Sequence, residues 1–86
     1  MKMTTPHARN LQASLAETVD RVMREYLDVL GEHEASNIYR LVIDEVERPL
    51  MDVMMEYTKG NQSKAAKYLG INRATLRTKL KRYDLL

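Results

Sequence analysis

The sequence predicts an all-α protein of four helices. Three observations carry this expectation. Apolar residues recur at three- and four-residue spacing along two long segments, polar caps and glycines stand where helices should start and stop, and no segment alternates apolar with polar residues as a strand would. At 86 residues the chain is short for two domains and suits one small domain that a partner completes.

Residues 1–10 are polar, contain Pro6 and show no apolar period, so they are expected to form a mobile arm. From Leu11 the sequence Leu11, Leu15, Val19, Val22, Met23, Tyr26, Leu27, Leu30 has the period of an amphipathic helix, and Gly31 is placed to stop it. Ser36 or Asn37 then stands where a second helix would be capped. That helix carries apolar residues from Ile38 to Tyr57 over a surface wider than one stripe. Either it lies at the centre of a monomer or a second chain covers the remainder, and the small number of helices favours the second chain. Pro49 falls inside the pattern, where it removes a backbone donor, yet packing on both sides would keep the helix running. Gly60 is expected to end it. Asn61 caps a short third helix with Ala65, Ala66 and Leu69 on one side, Gly70 marks a turn, and Asn72 caps a fourth with Leu76, Leu80 and Tyr83 inward.

Charge divides the chain where the helix pattern does. The total is only +2, but residues 1–58 hold six basic and eleven acidic side chains and residues 59–86 hold eight and one. The expected organisation is therefore an arm (1–10), an acidic helical region that a second chain completes (11–58) and a basic unit (59–86). With no cysteine there is no disulfide framework or thiolate metal site. No run approaches the roughly 18 apolar residues of a membrane span, and the start lacks a hydrophobic signal core, so a cytoplasmic protein is expected. No membrane partner is expected.

Residues 62–81 meet the steric demands of a helix-turn-helix. Two short helices that cross closely need small residues at the approach, here Ala65 and Ala66, and a turn that tolerates a left-handed backbone, here Gly70. The second helix would lie in the major groove with Asn72, Arg73 and Thr75 near base edges, the Arg fork suiting guanine O6 and N7. Arg77, Lys79, Lys81 and Arg82 can reach phosphates, as can Asn61, Ser63 and Lys64 at the preceding helix start. Capping and DNA contact compete for Asn61 and Asn72.

On these residues the chain resembles the Fis family, the bacterial nucleoid-associated factors for inversion stimulation. The likeness rests on Gly60-Asn61-Gln62, Gly70-Ile71-Asn72-Arg73, Thr75-Leu76-Arg77 and Leu80-Lys81, with Glu45-Val46-Glu47 and Pro49-Leu50 upstream, and runs from about Leu15 to Tyr83. The resemblance implies a homodimer whose first two helices interlock as a core. Its recognition helices would sit closer together than one turn of B-DNA, so the duplex bends and degenerate sites are read partly through deformability. By carry-over Asn72 and Arg73 read bases, and Asn61, Ser63, Thr75, Arg77 and Lys79 contact the backbone. Thr78 stands where well-known members place a lysine, removing a possible contact. The loop between the second and third helices contacts RNA polymerase in the family. Lys59, Gly60 and Gln62 keep compatible side chains there, while Glu56 replaces a neutral residue. Thr5-Pro6-His7-Ala8 has no strand alternation, so recombinase activation through an N-terminal hairpin is the least supported inherited role. Transcription regulation and nucleoid organisation are the expected functions.

Other readings compete. The chain could be the Fis-type output domain of a larger activator, although Met1 and the lack of a linker favour a free-standing protein, or a helical module that docks on polymerase or a recombinase. His7 and His33 are isolated, so no metal is expected. Asp44, Glu45, Glu47 and Asp52 read as a solvated face, with Arg40 and Arg48 as exposed partners worth little. The methionines read as apolar gap fillers. No nucleophile–base pair, phosphate-cradling loop or cofactor motif is present, so neither an enzyme nor a cofactor is expected.

Overall fold

The computed structural model describes the backbone of residues 6–86 and the side chains of residues 10–86. Four helices follow in order, α1 (Pro6–Leu30), α2 (Ile38–Tyr57), α3 (Gln62–Leu69) and α4 (Arg73–Arg82), with no strand among the described residues. They fall into two units, one ending at Ser36 and one spanning Asn37–Leu86.

The first unit is built on α1. Among the described residues its helix already covers Pro6, five residues ahead of the apolar period at Leu11; residues 1–5 of the expected arm lie outside the described residues. Pro6 has its φ preset near the helical value. The polar residues after it supply no packing signal, which is why periodicity starts the helix too late. The stripe formed by Leu11, Leu15, Val19, Val22, Tyr26 and Leu27 is exposed, Leu15 by 50%. Ion pairs Arg21–Glu25 and Arg24–Asp20 join successive turns on the charged surface at 3.5 and 3.1 Å. The helix stops at Gly31, whose φ is 61° and whose N–H donates to the Leu27 carbonyl.

The second unit has the core. Met51 of α2 meets Ala65 and Ala66 of α3 and Leu76, Leu80 and Tyr83 of α4 and its end, with Met55, Leu69, Ile71 and Leu85 packed around them. Ala65 is completely buried, as the close approach of two short helices requires. Gly70, at φ 75°, turns the chain between α3 and α4, and its N–H and that of Ile71 both reach the Ala66 carbonyl. A residue with a β-carbon would be strained there.

The helix starts are less uniform than expected. Asn61 and Asn72 cap α3 and α4 through side-chain oxygens that accept from Lys64 and Ala74 N–H at 3.0 and 2.7 Å. Asn37 stands at the start of α2 but adopts a left-handed backbone, φ 56°, and its side chain makes no capping bond. Only its carbonyl begins the helix, by accepting from Leu41. α2 runs unbroken through Pro49. Asp44 and Glu47 before the proline and Met51 and Met55 after it all engage the same α3–α4 pair, which splints the helix across the missing hydrogen bond. Gly60 follows the end of α2 at Tyr57 after two further residues, with Lys59 (φ 53°) and Gly60 (φ 81°) both left-handed. Thr58 closes the helix by donating its hydroxyl to the Met54 carbonyl.

Candidate nucleic-acid interface

The basic surface is built on α4. Leu76 and Leu80 fix one side of the helix against α2 and α3, so Arg73, Thr75, Arg77, Thr78, Lys81 and Arg82 are left exposed. Ser63 and Lys64 are exposed in the first turn of α3. The Asn61 and Asn72 side chains are held at the two helix starts by their capping bonds, so each keeps its amide group for another partner while its oxygen is used. Arg77 Nη1 lies 3.4 Å from Gln62 Oε1, which links the outward face of α4 to the start of α3. Thr78 donates its hydroxyl back to the Ala74 carbonyl at 3.0 Å. Its short side chain leaves the centre of the exposed face without a cation.

Lys79 and Arg82 have partners on α2 that their place on the outward side of α4 does not announce. Arg82 makes a two-point contact with Asp44, Nε to Oδ1 at 3.1 Å and Nη2 to Oδ2 at 2.9 Å. Lys79 Nζ lies 2.6 Å from Glu47 Oε2. The Tyr83 hydroxyl is within hydrogen-bond distance of both carboxylates and donates to one of them. Arg40 adds a 3.1 Å contact to Asp44. Arg48 donates to the Tyr83 carbonyl at 2.9 Å, with its guanidinium over the tyrosine ring.

This corrects the expectation of a solvated acidic face. Glu45 and Asp52 are exposed, but the Glu47 side chain retains only 17% of its exposure, and Arg48 caps the end of α4. A signal for it was present. Asp44 and Glu47 fall on the stripe that continues through Met51 and Met55, and a carboxylate on an inward stripe requires a cation or donor opposite it.

The environment shifts the ionisation of the cluster. The Arg82 hydrogen bond holds the Asp44 carboxyl below its ordinary value. At Glu47 burial acts in the opposite direction, and the hydrogen bonds from Lys79 and Tyr83 together override it, so its carboxyl is lowered too. Burial, then the bonds to Glu47 and Asp44, push the Tyr83 phenol up. Folded-state values below the ordinary 3.8 and 4.5 mean that the carboxylates stabilise the fold above those values and lose the contribution as pH falls through the folded ones. The facing groups are Arg40 on α2, Lys79 and Arg82 on α4, and Tyr83. Thermal melting of the native sequence is expected to fall more steeply below about pH 5 than that of Asp44→Asn/Glu47→Gln. Parallel curves for the two proteins would contradict the assignment.

At the turn between α2 and α3, Tyr57 and Tyr68 stand with ring centroids 6.2 Å apart beside Lys59 and Lys64, lining one open groove. Glu56, Lys59 and Gly60 are exposed near it, whereas Gln62 is half-buried and faces Arg77. Among the described residues no group of three His, Cys, Asp or Glu could hold a metal ion, and no helix is long and apolar enough to cross a membrane.

Two short helices joined at a left-handed glycine, with small residues buried between them and a cationic outer face, define a helix-turn-helix protein. Residues 42–83 match the model of the bacterial regulatory protein, Fis family. The chain is 46% identical over 86 residues to DNA-binding protein Fis of Aeromonas hydrophila, an alignment covering 96% of this chain and 88% of that one. It is 42% identical over 85 residues to DNA-binding protein Fis of Buchnera aphidicola, covering 99% and 87%, and 48% identical over 71 residues to that of Histophilus somni, covering 83% and 72%. The chain belongs to the Fis family, a family of regulatory proteins and not of enzymes.

Proposed function

We propose that this chain binds double-stranded DNA as a homodimer, bends it, and regulates transcription and nucleoid organisation from the cytoplasm. The observation that carries the reading is the cationic outer face of α4 held on an apolar inner face. It gives a rigid helix whose first turn, with Asn72, Arg73 and Thr75, enters the major groove. Asn61, Ser63, Lys64, Arg77 and Lys81 flank it as backbone contacts, with the uncharged Thr78 between them on the outer face, and the relatives' name, DNA-binding protein Fis, supports the same ligand.

The apolar surfaces support a second copy. Besides the stripe that meets the core, α2 carries Tyr39, Ile43, Val46, Leu50, Val53 and Tyr57 at alternating four- and three-residue spacing, and Tyr39 and Tyr57 are 76% and 72% exposed. That is the spacing of a helix–helix seam. The exposed stripe of α1 gives a second such surface. Two recognition helices brought close by this core would require a bent duplex, with sequence preference arising partly from deformability. A polymerase contact through Glu56, Lys59, Gly60 and Gln62 is supported by the exposure of Glu56, Lys59 and Gly60 and by the tyrosine groove beside Lys59, while Gln62 is half-buried against Arg77.

A gel-shift assay with the binding site placed at different positions along a duplex tests the reading. Position-dependent mobility is expected, with affinity falling steeply as salt rises. Position-independent mobility at saturation would remove bending from the proposal. Unchanged DNA affinity in Arg73→Ala/Arg77→Ala would instead favour a protein-docking module.

A further inference from the structure

We propose that Asp44 and Glu47 withhold Arg82 and Lys79 from DNA, so that α2 sets how many phosphate contacts the helix-turn-helix makes. The inference rests on the DNA-binding reading above. Arg82 and Lys79 belong to the helix that enters the groove, yet their charged ends are turned to carboxylates of a different helix. The Asp44–Arg82 pairing uses the same two-point fork that an arginine offers a phosphate, so the carboxylate occupies the geometry a phosphate would need. Lys79 is held by a single contact to Glu47 at 2.6 Å, with its side chain 29% exposed.

The arrangement is built, not incidental to a crowded surface. Arg40 supports both acids, at 3.1 Å from Asp44 and 4.0 Å from Glu47, while the Tyr83 hydroxyl sits between them and its ring is buried in the core. Arg40 and the Tyr83 hydroxyl therefore hold Asp44 and Glu47 in place from the side away from α4's outer face. A phosphate reaching Arg82 must first break a two-point ion pair and leave Asp44 facing a nearby anion. Arg73, Arg77 and Lys81 have no such carboxylate partner among the described residues and carry the phosphate and base contacts. The formal +7 of residues 59–86 thus overstates the charge that DNA meets.

The decisive experiment is the salt dependence of affinity for a fluorescent duplex, measured by anisotropy across a potassium chloride series on the full chain. Each newly neutralised phosphate steepens the slope of log K against log salt by about 0.9. Asp44→Asn is expected to steepen it by about that amount per subunit. Arg82→Gln alone is expected to leave the slope unchanged, and Asp44→Asn/Arg82→Gln to return it to that of the native sequence. Asp52→Asn removes the same charge from an exposed position on α2 and is expected to leave the slope unchanged. A slope flattened by Arg82→Gln alone, or changed equally by Asp44→Asn and Asp52→Asn, would overturn the proposal. Because Arg82→Gln alters only one exposed side chain, it decides the matter even if Asp44→Asn fails to fold. Loss of the inference with native-sequence binding intact leaves the DNA-binding reading standing, whereas salt-independent or absent binding by the native sequence overturns both.

Discussion

Leu76→Ala lowers the free energy of unfolding by about 2 to 5 kcal/mol. Leu76 is fully buried on the inner side of α4, in the cluster with Ala65 and Ala66 of α3 and Met51 of α2. Truncation removes its transfer free energy and leaves a cavity that the neighbours cannot readily fill. Ala65 and Ala66 are already small, and Leu80 is fully buried in its own place. Against a typical domain stability of about 5 to 15 kcal/mol this is a large fraction. Urea denaturation followed by helical circular dichroism measures it, at one protein concentration because association contributes to stability. Val29→Ala supplies the contrast. That side chain is 86% exposed, and its change is expected within about 0.5 kcal/mol. Equal midpoints for the two variants would show that the core does not lie where the structure places it.

Arg73→Ala weakens binding to a specific site by about 1 to 3 kcal/mol and relaxes discrimination at the site ends, with no comparable loss of stability. Arg73 is the first residue of α4 and is exposed beside the capping Asn72, in the turn that reaches base edges under the proposed docking. Lys81→Ala, on the next-to-last residue of the same helix, is expected to weaken all sequences alike and to make the salt slope shallower. Competition binding with matched and mismatched duplexes separates the two. Identical losses of discrimination would contradict a division between base reading and phosphate contact.

Much of this architecture was legible in the residues because it follows from local rules. Asn61 and Asn72 have the side-chain oxygen that a helix start needs, Gly31 and Gly70 take the left-handed backbone that ends a helix, and the spacing of Leu76, Leu80 and Tyr83 sets the buried side of α4. What was not legible depends on contacts between elements distant in sequence. Glu47 and Lys79 lie 32 residues apart, and Asp44 and Arg82 lie 38 apart. Charge counting places all four on solvated faces, and only the inward register of Met51 hints otherwise. The start of α1 was missed for the converse reason, since residues 6–10 form helix without an apolar face to announce it. Asn37 shows a further limit. A residue type suited to capping occupied the expected position, but its own backbone conformation left the side chain without the bond.

The candidate interface follows the same division. The exposed cations Arg73, Arg77 and Lys81 were readable from helix period alone. The commitment of Lys79 and Arg82 to α2 was not, and it changes which charges a phosphate can meet.

Two copies of this chain are expected to grip one duplex through the cationic face of α4. Sedimentation of the protein with a duplex that carries a single binding site measures the stoichiometry directly. Two chains per duplex are expected, with both lost together as salt rises; one chain per duplex, or a complex indifferent to salt, would rule out a two-copy grip.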